Sequence, residues 1–443
     1  VRYRLVRAGR DAAVCGVGGT CGMDLEGRWR LYVDAQDVGL LPDPVNWRVQ
    51  IPATGVGGFD LTYPLNGLRA DVLLDDLWCA LGFEVMDSAG GWSEPKCGRF
   101  IPFSRTIDYQ AGTLQLKGAS VGWLLGKAVR WPIPGDDVTG WKHSFPGVTP
   151  GGIARWMLNE ATRRRALQNV TWDFDHAVDS DGNVWRDAYD AEYELGVTVR
   201  QIIDGLDVFG TVWRTDGWTV QLAQDRFADV PATSPLLIDG RDVDVQTLSV
   251  SLEDAAGEVL MTGNQRWGAA RDSDVATWGR WQVSVSASGL PQGATLTAAA
   301  QRELSQRGAK ITTQVDLLPD AKVRPFTDLW PGQSVTVITE IPVSGGPGWR
   351  WDEGTWDDPP GWGLPGPWRW DVSLWDEPDT GWWTGAAWYS EVNAEVTEIV
   401  LTHEGRATIT VGEVTGSATD LLTRSVRAIT GGRVARRPAT GIN

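Results

Sequence analysis

The sequence predicts a mainly β, multidomain chain with short helices, built from β-barrel or sandwich domains plus one α+β domain. Three observations carry this. Short β-favouring runs recur between Gly and Pro punctuation along most of the chain. Helical periodicity is confined to four segments of at most 18 residues. The length, 443 residues, is that of about three domains at roughly 100–200 residues each.

RYRLVR (2–7), RWRLYV (28–33) and NWRVQI (46–51) read as strands. TLQLKG (113–118) is a further strand that runs into SVGWLLGKAV (120–129), a short helix ended before Pro132. Pro and Gly are dense over 131–152, which marks a boundary loop. The helix 151–168 places Ile153, Trp156, Met157 and Ala161 at i, i+3, i+4 and i+8, with Arg163, Arg164 and Arg165 near its C-terminal end. A second helix at 198–209 gathers Val199, Ile202, Ile203 and Leu206 on one side. In 211–223, Asp216-Gly217 between two apolar runs is a hairpin signal. Residues 244–263 suggest another pair of strands, 296–309 a helix, and 310–317 and 334–341 strands. Residues 393–414 form a hairpin turning at His403-Glu404-Gly405.

The domain organisation that follows is an N-terminal β-rich domain (1–130), an α+β middle domain (131–240), and a second β-barrel domain made of 241–345 with 391–414. A Trp/Asp-rich insertion (346–390) and a basic tail (415–443) complete it. In the insertion, GWRWDEGTWDDPPGW (348–362) is followed by PWRWDVSLWDEPDTGW (367–382). Trp349 aligns with Trp368, Trp351 with Trp370, Trp356 with Trp375 and Asp352 with Asp371, a 19-residue unit. Of the 26 tryptophans in the chain, ten lie here: Trp349, Trp351, Trp356, Trp362, Trp368, Trp370, Trp375, Trp382, Trp383 and Trp388. The tail has no acid after Asp420 and carries Arg424, Arg427, Arg433, Arg436 and Arg437; alone in solution such a sequence is disordered.

Composition narrows the function. The chain has 40 basic and 57 acidic residues, a net charge of −17, which argues against general nucleic-acid binding because phosphates need cationic surface. No stretch approaches the roughly 18 apolar residues of a membrane span. The first 30 residues lack the apolar core of a signal peptide. Three histidines leave little material for metal or acid–base chemistry, and no cofactor is implied. Cys15, Cys21, Cys79 and Cys97 match no zinc spacing; free thiols are the default, with a Cys79–Cys97 or Cys15–Cys21 disulfide as the alternative in an oxidising setting.

Three motifs deserve weighing. Gly118-Ala119-Ser120-Val121-Gly122 fits G-x-S-x-G between a strand and a helix, the setting of a nucleophile elbow; a plain tight turn explains it more simply. The enzyme reading also needs a His partner, and only His143, His176 and His403 exist. Asp173, Asp175, Asp179 and Asp181-Gly182-Asn183 crowd one loop, but the spacing fails the calcium-loop pattern, so a polar turn is preferred. The Trp/Asp repeat could stack on sugars or dock on a neighbouring subunit, where Trp is an enriched anchor; docking is preferred because so dense a repeat must bury much of its own apolar surface.

Three stretches taken together resemble the baseplate hub, or tail-tip minor tail, proteins of long-tailed (siphovirus-like) bacteriophages. They are TLQLKGASVGWLLGKAV (113–129), the helices at 151–167 and 198–207 with the hairpin 211–223, and the pair 296–337 and 395–414. In the last, Trp330-Pro331-Gly332-Gln333 stands at a barrel-strand motif, with Gln333 where an acid is common. The repeat and the tail depart from the pattern, so nothing is carried over to them. The resemblance implies a non-enzymatic structural hub in the virion, made in the host cytoplasm. It implies a homotrimer around the tail axis, below a distal tail protein ring and above tip, fibre or spike proteins. The tape-measure protein is a further candidate partner, and DNA would pass without specific binding. An acidic bore would repel DNA phosphates and let the genome slide. A glycan-binding or glycan-degrading surface protein using the Trp repeat is the alternative.

Overall fold

A computed structural model describes residues 27–76, 78–86, 90–130, 142–263, 266–272, 281–287, 293–318, 321–342 and 387–415. The strand expected at 2–7, Cys15, Cys21 and the tail from 416 lie outside the described residues.

Strands β1 (Gly27–Val33) and β2 (Gln36–Leu40) form a hairpin. Its turn residues Asp34 and Ala35 both take positive φ, 49° and 62°, the left-handed pair that matches the twist of a tight hairpin. In β3 (Asn46–Pro52) and β4 (Gly58–Pro64) alternate residues point inward: Trp47, Val49 and Ile51, then Phe59, Leu61 and Tyr63. The helix α1 (Ala70–Asp75) is followed by β5 (Ala80–Met86), β6 (Trp92–Ser93), β7 (Arg99–Asp108) and β8 (Thr113–Ser120). The helix expected at 120–129 is a 3-10 segment, Val121–Lys127.

The middle region holds β9 (Lys142–Val148), α2 (Pro150–Arg163), β10 (Thr171–Trp172), β11 (Tyr189–Glu194), α3 (Val199–Gly205), β12 (Thr211–Asp216) and β13 (Thr219–Gln224). The expected loop over 131–152 is corrected at its end, because 142–148 is a strand that among the described residues pairs with β11 alone. Pro146 and Gly147 hid it: an edge strand tolerates a residue with no N–H to donate. Helix α2 starts at Pro150, with Thr149 Oγ1 accepting from Gly152 N at 3.1 Å. It stops at Arg163, short of the expected 168; Arg165 and Asn169 both have φ 60°. Ile153, Met157 and Ala161 are buried as the periodicity requires, with Trp156 packed at the border. The second helix splits into α3 and a 3-10 turn, Leu206–Phe209, with Val199, Ile202, Ile203 and Leu206 all buried. The hairpin at Asp216-Gly217 forms, with Gly217 at φ 54°.

The last region comprises β14 (Leu236–Ile238), β15 (Val243–Ser251), β16 (Glu258–Thr262), β17 (Trp267–Arg271), β18 (Gln282–Ser286), α4 (Gly293–Gln306), β19 (Ala309–Leu317), β20 (Ser334–Pro342), β21 (Ala387–Thr402) and β22 (Ala407–Thr415). Within 244–263, the strands β15 and β16 form but join different sheets. The hairpin turning at 403–405 forms, with Gly405 at φ 73°.

The architecture is mainly β. Among the described residues fourteen strands share one sheet, in the order β15-β19-β22-β21-β3-β4-β8-β7-β5-β1-β2 with β6, β14 and β20 attached. The sixteen-residue β21 is the seam. One edge pairs first with β20, over Ala387–Glu395, and then with β3, over Glu398–Thr402, while the other edge carries β22. Strands of the first 130 residues and of the last region thus belong to one sheet over one apolar core, running from Trp29, Phe83 and Phe100 to Val335, Val396 and Val411. Among the described residues no sheet closes into a barrel, because β3, at the end of the first lobe's strand order, is paired to β21 instead of to β2. The middle region has a separate core around α2, α3 and Trp213, and α4 packs on the three-stranded sheet β17-β16-β18 to make a third.

Cys79 and Cys97 are both buried and free, so the Cys79–Cys97 disulfide is not formed. Burial pushes both thiols up, out of the thiolate range.

Candidate functional site

Of the ten tryptophans expected to bind a partner, Trp349, Trp351, Trp356, Trp362, Trp368, Trp370, Trp375, Trp382 and Trp383 lie outside the described residues. Trp388 lies in β21, in register with Ile341 of β20. The structure shows how their segment is mounted. Strands β20 and β21 pair without a break from Ser334↔Glu395 to Pro342↔Ala387. The 44 residues 343–386 therefore leave and return at the tip of one antiparallel stem. Ala387–Ser390, at the end of the Trp/Asp-rich stretch, belong to that stem.

At the base of the stem sits Trp330-Pro331-Gly332-Gln333. Gly332 has φ 85°, and its N–H donates to the Val396 carbonyl at 2.7 Å while Val396 N donates to the Gln333 carbonyl at 2.9 Å. Gln333 is buried, and its Oε1 accepts from Trp330 N at 2.9 Å while its Nε2 donates to the Thr233 carbonyl at 2.8 Å. A carboxylate could accept but not donate, so an amide side chain meets both roles at this site. Beside it lies a crevice of about 240 Å³ between the first 130 residues, the middle region and the last region, lined among others by Ile51, Pro95, Val230, Phe326 and Trp330. Ion pairs ring it: Arg214–Asp229 at 2.5 Å, Arg99–Glu94 at 2.8 Å and Lys96–Asp216. Burial raises the Glu94 carboxyl above its ordinary range against the opposing pull of Arg99, whose guanidinium lies 3.7 Å from the Tyr32 ring centroid.

The remaining motifs have structural explanations. Ser120 is fully buried; its Oγ accepts from Gly57 N at 3.0 Å, and its own N–H donates to the Gly57 carbonyl at 2.9 Å. A Cβ on Gly118 would fall 2.2 Å from the Ile101 carbonyl oxygen, and one on Gly122 would fall 2.8 Å from the Trp213 ring. Close packing thus accounts for both glycines of G-x-S-x-G. In the aspartate loop the carboxylates serve the chain itself. Asp175 Oδ1 accepts from the N–H groups of Ala177 and Val178, Asp179 Oδ1 from those of Asp181 and Asn183, and Asp181 Oδ2 from that of Ala228. Asp173 accepts from Gln221 Nε2 at 2.8 Å and from the Ser180 hydroxyl. This is the polar turn. No cluster of three or more His, Cys, Asp or Glu suited to a metal occurs among the described residues.

A charged cluster in the middle region leaves little trace in the sequence. Glu160 of α2 pairs with Arg164 at 2.7 Å, one helical turn on, and with the buried Arg130 at 3.4 Å. His143 of β9 stacks on Trp156 with ring centroids 4.1 Å apart, and Arg130 Nη2 lies 3.3 Å from its Nδ1. Burial, helped by the Arg130 charge, lowers the His143 imidazole below its ordinary 6.5. The i, i+4 spacing of Glu160 and Arg164 was the one signal in the sequence. The histidines are dispersed in role: His403 packs edge-on to Trp47, and the His176 carbonyl accepts from Thr149 Oγ1.

No family model matches the chain, and no curated protein matches it. Solved structures do. A tail protein from Neisseria meningitidis MC58 superposes with a TM-score of 0.51 at 13% identity, covering 89% of this chain and 98% of that one. A prophage tail protein from Listeria monocytogenes EGD-e gives 0.49 at 12% identity over 91% and 100% of the two chains. The 43 kDa tail protein of prophage MuSo2 from Shewanella oneidensis gives 0.47 at 12% over 87% and 97%. The fold is that of a tail protein, as the sequence resemblance implied.

Proposed function

We propose that this protein is a structural hub of a long phage tail, at the tail tip. The observation that carries the reading is the near full-length fold similarity to a tail protein, 89% of one chain against 98% of the other. In this reading three copies surround the tail axis, with a distal tail protein ring above and tip, fibre or spike proteins below. The bore passes DNA during ejection and is acidic, so phosphates slide past it. The β20–β21 stem presents the Trp-rich segment to a neighbouring subunit. The chain has no catalytic activity of its own; the burial of Ser120 and its bond to Gly57 support that part.

The test is the stoichiometry of the chain in assembled particles, imaged by electron microscopy and weighed after mild dissociation. Three copies on the tail axis are expected. A monomer at the particle periphery overturns the reading.

A further inference from the structure

The strand pairings give the first lobe two ends. At one, Cys97 N donates to the Thr215 carbonyl and Gly55 N to the Trp213 carbonyl, so the middle region is attached there. The other end is distal. It gathers the β1–β2 turn at Asp34, the start of β3, the end of β4 with α1, the entry to β5 and the β7–β8 turn, as Tyr32↔Ala80, Asn46↔Thr62 and Pro64↔Thr113 require. Arg105 ties this end together, donating to the carbonyls of Leu73 at 2.8 Å and Asp76 at 3.0 Å, and Leu65 N donates to the Gly112 carbonyl at 2.9 Å.

This distal end carries four large apolar side chains in water: Val45 (53% exposed), Leu68 (69%), Trp78 (82%) and Tyr109 (83%). A concentration of exposed apolar groups on one end of a folded lobe marks a surface that is covered in use. Between them Asp34, Asp71, Asp75 and Asp108 are exposed, and none of these four forms an ion pair among the described residues. A fitting occupant must therefore offer both cations and apolar side chains.

We propose that the occupant is the chain's own segment 421–443. It has five arginines, no acid, and Leu421, Leu422, Val426, Ile429 and Val434 interspersed among them. Its reach suffices. The β21–β22 turn lies at the distal end, since Thr402 pairs with Arg48 at the start of β3, and β22 runs back from there to Thr415. That return is roughly 26 Å at ~3.3 Å per residue, whereas the 28 residues from 416 to 443 extend to at most ~100 Å. The arginines meet the aspartates while the aliphatic side chains cover Leu68, Trp78 and Tyr109.

The test is hydrogen exchange on the full-length protein, compared with two variants: R424S/R427S/R433S/R436S/R437S, and D71N/D75N/D108N. Amides of 66–79 and 106–113 are expected to exchange about tenfold more slowly in the wild type than in either variant, with β3 and β21 unchanged. About 0.5 M NaCl should erase most of the difference. The arginine variant alters nothing in the folded lobe, so its result stands even if the aspartate variant is unstable. Equal exchange in the wild type and the arginine variant overturns the proposal. So does protection that needs the aspartates and not the arginines, because another cationic partner then holds the surface. Protection independent of protein concentration places the segment on its own lobe, as proposed; protection lost on dilution places a second copy there and overturns the proposal.

Discussion

The side chain of Gln333 donates to the backbone carbonyl of Thr233 at 2.8 Å, across 100 residues of sequence. The same amide accepts the N–H of Trp330 at 2.9 Å, so one buried group fixes the turn entering β20 and the approach to β14 together. Replacing it by a carboxylate removes the donor and places a charge where Gln333 is 1% exposed. The cost of orphaning a buried acceptor is about 1–3 kcal/mol, and more when a charge is buried with it. The Gln333→Glu variant is therefore expected to unfold at lower urea concentration than the wild type with an unchanged m-value. Acid should narrow the gap, since protonation restores a donor; an equal midpoint at neutral pH would sink this account.

Ser120 poses the opposite choice, between chemistry and packing. Its hydroxyl is buried against Gly57 N–H, so Ser120→Ala leaves that donor without its partner. The expected loss is about 1–3 kcal/mol of stability. Esterase assays on wild type and variant should give the same background rate. A rate that falls with the substitution would revive the nucleophile reading.

These two residues show what the sequence could and could not disclose. Both stood out as members of motifs, Ser120 in G-x-S-x-G and Gln333 where an acid was expected. Their partners, Gly57 and Thr233, lie 63 and 100 residues away, and only the folded sheet brings them close. The same holds for elements. Hairpins at Gly217 and Gly405 were legible because turn chemistry is local. The pairing of β3 with β21, which joins the two ends of the chain, was not, because any alternating strand fits any edge of matching polarity. Pro146 and Gly147 mask strand β9, and β5, buried at every position but its last, reads as a plain apolar run with no alternation to mark it.

Stability should depend on pH through His143. Its folded imidazole sits below the ordinary 6.5, held down first by burial and then by Arg130. The unfolded chain therefore takes up the proton more readily than the folded one. The stabilising contribution is complete above 6.5 and is lost as pH falls below it, until the folded form protonates too. His143→Phe keeps an aromatic ring against Trp156 and removes the titration. Urea midpoints measured across pH 5–8 should fall toward acid in the wild type and fall less steeply in the variant. Parallel curves would mean that His143 is not the group responsible.

The stem of β20 and β21 makes its own prediction. Pro342 and Ala387 are directly paired, so the two ends of the 44-residue segment between them already stand at hairpin distance. A five-residue Gly/Ser turn can replace 344–385 without moving either strand. Closing a shorter loop costs less: each halving of length recovers about 0.6 kcal/mol, and roughly three halvings separate the two loops. If the segment makes no net favourable contact with its own body, the shortened chain should be more stable by about 1–2 kcal/mol. A stable, soluble product that no longer assembles into particles would assign the tryptophans to contacts between subunits. A product that is insoluble, or less stable than the parent, would show that the segment packs on the lobe that carries it and would overturn the picture of a stem-mounted docking element.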